Sequence, residues 1–216
     1  MTEQQPGQQP GQQPGGPTGP GAGAVDEELA DFAQQIADQV ESFLLALQVL
    51  SRESDGGSAI SLLLLEVSQV LLAGARLGVQ ADFTPRAEYQ PDVGPDPDLD
   101  AMRLRLARML DNVDTYSTVF DPYVPELTIS QLSDDLTAIA SDLANGLRHY
   151  RAGDVEEALW WWQFSYVASW GNAASASLRA LQSVVTHDRL DSEDDADAEA
   201  VAVADEMLGA GGTTPR

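Results

Sequence analysis

The chain has 216 residues, 43% of them hydrophobic, a formal net charge of −24, 11 basic residues that are all arginine, and no cysteine, which excludes disulfides, thiolate nucleophiles, zinc ribbons and iron–sulfur clusters. Between residues 26 and 190, 26 acids face ten arginines, so nucleic-acid backbones and anionic membranes, which select clustered positive charge, are not expected partners. The opening residues lack a basic-then-apolar leader, and Glu66, Gln69 and Arg76 interrupt the most apolar stretch, so a cytoplasmic chain without a membrane span is expected.

Residues 1–25 are rich in Gln, Pro and Gly, a composition with nothing to bury, and predict a disordered tail. A first helix is predicted from Asp26, because Leu29, Phe32, Ile36, Val40, Phe43, Leu47 and Leu50 fall on one stripe. Ser54-Asp-Gly-Gly57 ends it, and Ser58 can cap a second helix to Gly78 whose only polar strip is Glu66, Gln69 and Arg76. Residues 81–98 read as a proline-punctuated loop, and a third helix is predicted over about 99–113. Tyr116 to Tyr123 reads as an aromatic turn broken by Pro122. Thr128 with Gln131 has the spacing of a capping box for a fourth helix with the stripe Leu132, Leu136, Ile139, Leu143, Leu147 and Tyr150. No strand pattern of comparable strength is read anywhere.

Asp154 with Glu157 reads as the cap of a fifth helix running to about Val185, and this helix carries two apolar stripes. Trp160, Phe164, Val167, Gly171, Ala174, Leu178, Leu181 and Val185 share one face, while Leu159, Trp162, Tyr166 and Trp170 share another about 100° away. A helix with two such faces is either central in the bundle or covers the core with one face and a partner with the other, and on the latter reading the second is the candidate interaction face. The small-residue run Gly171 to Ser177 lets a neighbour approach closely, leaving room for a pocket beside the aromatic half. Beyond Asp191 the chain is acidic, and residues 191–216 are expected to form a mostly disordered tail that could engage a basic protein.

Chemistry is sparse. Asp135, Asp142 and His149 recur at seven-residue intervals along one edge of the fourth helix, and Glu66 and Trp161 are the candidates to complete a speculative pocket with them. Seven residues span about 10.5 Å of helix, too far for these three to chelate one ion. The Glu-x-x-His spacing of di-iron bundles is absent, the pairs Asp111/Asp114 and Asp154/Glu157 sit where caps belong, and there is no phosphate loop or nucleophile elbow. No metal site, cofactor or catalytic residue is assigned.

The junction Gly146 to Trp162, with Gly146, Tyr150, Gly153, Ala158 and Trp162, resembles one tetratricopeptide unit and implies a tight antiparallel helix pair. Over a longer range, residues 61–78, YSTVFDPY at 116–123 and residues 149–183 resemble an actinobacterial family, domain of unknown function 5063. That resemblance carries no activity. The expected fold is all-α: a single domain, residues 26–190, of about five helices with a long central C-terminal helix and two disordered tails. The expected function is a non-catalytic protein-interaction or self-association module acting through an aromatic helix face, with a small-molecule or metal-binding helical enzyme as the alternative.

Overall fold

The computed structural model describes residues 22–52, 56–85, 94 and 97–210, so most of the N-terminal tail, the last residues and part of the proline-rich loop lie outside the described residues. The elements in order are α1 (Ala22–Leu50), α2 (Gly56–Gly78), α3 (Asp100–Leu110), β1 (Thr115–Asp121), β2 (Val124–Gln131), α4 (Leu132–Arg151), α5 (Val155–Ser165) and α6 (Gly171–Ala210). A single 3-10 turn, Asp111–Val113, leads from α3 into β1, and a π-helical segment, Tyr166–Trp170, joins α5 to α6 without a break. The helical body with a long C-terminal helix is the one the periodicity predicts, but α6 runs past Val185 to Ala210, through residues read as part of a mostly disordered acidic tail. The hairpin is an addition to that body.

The predicted stripes on α1 and α4 are buried. Ile36, Val40, Phe43 and Leu47 of α1 meet Leu63, Val67 and Val70 of α2, with Leu136, Ile139 and Leu143 of α4 in the same core. The polar strip of α2 is half-buried and turned toward α1: Gln69 accepts from Gln39 Nε2 at 3.0 Å, and Arg76 donates to Gln35 at 2.7 Å, both on α1. That leaves Leu65 and Leu72 on the outward side, so α2, apolar enough by length and composition to cross a membrane, is packed along one side and bare along the other. Helix α2 begins at Gly56, placing Ser58 inside its first turn rather than before it. On α3, Met102, Leu106 and Leu110 are buried, whereas Leu104 is turned outward.

At the junction predicted to be tight, Gly146 of α4 lies directly under the Trp162 indole, and a Cβ there would collide with the ring. The indole N–H donates to the Leu143 carbonyl at 3.0 Å, and that of Trp161 donates to the Asp142 carbonyl at 3.0 Å. Two ring nitrogens that would be costly to bury unpaired therefore pin α5 to α4. Gly153, at φ +89°, closes the turn between them, a conformation that strains any residue with a Cβ. Asp154 precedes α5 without a side-chain cap bond, and Glu157 is buried, so this pair does not form the capping box its spacing suggests.

Candidate functional site

The two apolar stripes of the tryptophan helix are not two faces of one straight helix. Residues 166–170 adopt π geometry, which takes one extra residue in the turn and rotates everything downstream back by roughly one residue's 100°. Leu159, Trp162 and Trp170 ahead of and within the bulge are therefore at 0–1% exposure, and Ala174 and Leu181 after it continue the same buried line. Tyr166 is half-buried, its ring lying against Trp170 and over Gly74 of α2, where a Cβ would strike both rings. Of the two readings of this helix the central one is realised: Leu159, Trp162 and Trp170, candidates for an outward interaction face, lie in the core, with Tyr166 half-buried beside them. Their counterparts Phe164 and Val167 are exposed instead, with Phe164 stacked on Trp160 at 5.3 Å between centroids.

Residues 115–131 form an antiparallel hairpin where the sequence predicts an aromatic turn and a helix cap. Thr115 to Phe120 and Val124 to Ser130 are rich in β-branched and aromatic residues, and Pro122-Tyr123 forms a two-residue loop stabilised by the Tyr123 N–H donating to Asp121 Oδ1 at 2.8 Å. This density was the missed signal, masked by the capping-box spacing of Thr128 and Gln131. The start of α4 is capped from outside its own segment: buried Asp114 accepts from the Ser133 N–H at 2.8 Å and the Ser133 hydroxyl at 2.9 Å, while its carbonyl accepts from the Leu132 N–H.

The hairpin is amphipathic in reverse. Register pairs Tyr116 with Ser130 and Thr118 with Thr128 on the face toward α4 and α6, and pairs Ser117 with Ile129 and Val119 with Leu127 on the opposite face. The polar rows face the body; Ile129 and Leu127 are 73% and 75% exposed, and Phe120, Tyr123 and Val124 near the tip are exposed as well. Leaving a row of large apolar side chains in water is unfavourable.

Under the hairpin a cleft of about 560 Å³ opens against α4 and the small-residue stretch of α6, and a second of about 440 Å³ adjoins it. The room expected beside the aromatic half of the helix lies instead against its small-residue run, and the hairpin, not the tryptophans, closes the cleft. Asp135 lines it, one carboxylate oxygen accepting from Tyr116 at 2.6 Å and from Ser130 at 2.8 Å. Burial, with this hydrogen bond and the charge of Asp135, raises the Tyr116 phenol above its ordinary value, so it stays protonated at neutral pH. Asp142 is also raised, by burial, against the opposing effect of a hydrogen bond from Ser169 in the π segment.

The other members of the speculative pocket lie away from the cleft. His149 is buried at the α4–α5 corner beside Trp161, with Nδ1 lacking a hydrogen bond. Glu66 sits one turn from Gln69 on a helix packed mainly on α1, α5 and α6, where burial raises its carboxyl. Of the five residues, only Asp135 lines the cleft. Among the described residues no cluster of three or more His, Asp or Glu side chains could hold a metal ion.

The crystal structure of protein BF1032 from Bacteroides fragilis has a similar fold, with a TM-score of 0.57 and 16% identity over 69% of this chain and 89% of that one. At that identity the likeness concerns the fold alone. No curated protein matches the sequence. The family model of the domain of unknown function DUF5063 matches residues 27–187, and the chain belongs to that family.

Proposed function

We propose that the chain is a non-catalytic protein-interaction module that docks through the outward face of its β-hairpin. The observation that carries this reading is the inverted hairpin: polar rows turned to the body, and Val119, Leu127, Ile129 and Val124 turned to water. The tryptophan face is already filled by the chain's own helices and is not the contact. With a net charge of −24 repelling a second copy, the fitting occupant is another protein whose apolar patch is bordered by lysine or arginine.

The test is sedimentation of the purified chain at low and high salt, followed by binding of the native partner to wild type and to a Leu127→Asp/Ile129→Asp variant. A monomer in both salts, with partner binding that weakens as salt rises and is lost in the double variant, supports the reading. Self-association abolished by the same two changes would replace it with a homo-oligomer. Partner binding unaffected by them would remove the hairpin face from consideration.

A further inference from the structure

The smaller cleft has a geometry of its own. It is lined by Thr115, Tyr116, Ser117 and Thr118 in unbroken succession, and by no residue of β2. Successive side chains of a strand point to opposite faces, so a groove that touches four consecutive residues runs along the edge of the strand. That edge is free: β1 pairs with β2 on one side, and among the described residues no ladder covers the other. The opposite wall is α6, where Ala176, Ala180 and Val184 recur at four-residue spacing and form a shallow apolar track. Arg179 stands between them, exposed, lining both clefts, and in no ion pair with a described residue.

We infer that this groove takes an extended peptide segment, which adds a strand to the free edge of β1, lays alternate side chains on the Ala176–Ala180–Val184 track, and places a carboxylate against Arg179. Unpaired strand edges recruit strands, since each ladder bond satisfies a backbone group that otherwise needs water. A helix wall of alanines leaves depth for the incoming side chains, and a strand seated there has its alternate residues turned toward it. The guanidinium selects the charge, because a planar fork of donors matches a carboxylate bidentately. The carboxylate belongs either to an acidic side chain or to a peptide C-terminus. This groove is separate from the outward hairpin face, and neither site requires the other.

The experiment selects peptides from two random nine-residue libraries, one displayed with free C-termini and one internal, against the full chain and against Arg179→Glu. The expected result is wild-type enrichment of extended, β-prone peptides with an acidic group at one fixed position. Enrichment only from the free-terminus library assigns the carboxylate to the C-terminus, and enrichment from both assigns it to a side chain. A selected synthetic peptide should bind Arg179→Glu at least about tenfold more weakly, the loss expected for a hydrogen bond between charged groups. It should also shift and protect from exchange the amides of Thr115 to Thr118, while Leu127→Asp/Ile129→Asp leaves its affinity unchanged. No enrichment over Arg179→Glu, or shifts confined to Leu127 and Ile129, would overturn the inference.

Discussion

Replacing Gly146 by alanine sets two effects of known size against each other. Alanine is about 1 kcal/mol better than glycine in a helix interior, so at an exposed site the change stabilises. At Gly146 the new methyl would enter the space of the Trp162 indole, which is fully buried and donates to the Leu143 carbonyl. The ring is rigid and walled in, so it cannot rotate away as the end of a flexible side chain would. Overpacking of this kind costs about 1–3 kcal/mol, and losing the indole hydrogen bond about 1 more. The net expectation is destabilisation by about 1–3 kcal/mol, measured by urea unfolding at neutral pH with an unchanged slope, each kcal/mol lowering Tm by about 2–4 °C. In a Trp162→Leu background the clash is gone, and the same alanine should be neutral or stabilising; the difference between the two backgrounds isolates the contact. A Gly146→Ala protein as stable as wild type would refute the close α4–α5 approach on which the placement of the tryptophan helix depends.

Three further outcomes follow from the same geometry. Trp170→Ala should cost about 3–5 kcal/mol in chemical unfolding and Phe164→Ala less than about 1, an order that would reverse if the helix were straight and its second stripe faced outward. Asp114→Ala, which strips the first turn of α4 of its cap, should cost about 1–2 kcal/mol, and an unchanged unfolding midpoint would show that water replaces it. Asp142 has its folded-state value raised, so the folded chain holds that proton more tightly than the unfolded one, and its ionisation disfavours folding as pH rises from about 3.8 through the raised value. Asp142→Asn should therefore gain stability relative to wild type across that window and hold the gain at neutral pH; a gain that shrinks with rising pH would contradict the burial argument.

The helices were legible because their signal is local and redundant. The stripes on α1 and α4 repeat over five or more turns, and the single stretches of Gly and Pro that separate them leave little choice of boundary. The hairpin was not legible, although its β-branched residues are dense, because the criterion for a strand in a soluble body is an apolar face turned inward. Here that face points out, so the pattern carries no mark of the body it rests on. The cap of α4 failed for a related reason: Thr128 and Gln131 have the local spacing, but Asp114, 19 residues before Ser133, has the geometry. As for the candidate pocket, the seven-residue recurrence placed Asp135 and Asp142 on one edge of α4 and left open what would face them. Asp135 met the hairpin, Asp142 met the π segment, His149 at the far end of α4 met Trp161 of α5, and Glu66 was placed by α2, whose packing no pattern on its own segment specifies.

By itself the sequence determined the helical body, the order of its long elements, the excess of apolar surface on the tryptophan helix and the acidity of the chain, all of which depend on residue type and short-range period. Only the tertiary structure decided which tryptophans are core. One extra residue in a helical turn, between Tyr166 and Trp170, merges two stripes into one buried line and turns Phe164 and Val167 to the surface. No local rule predicts that insertion, because it is stabilised by what lies opposite: an aromatic pair seated over Gly74, and an indole pinned to a carbonyl of another helix.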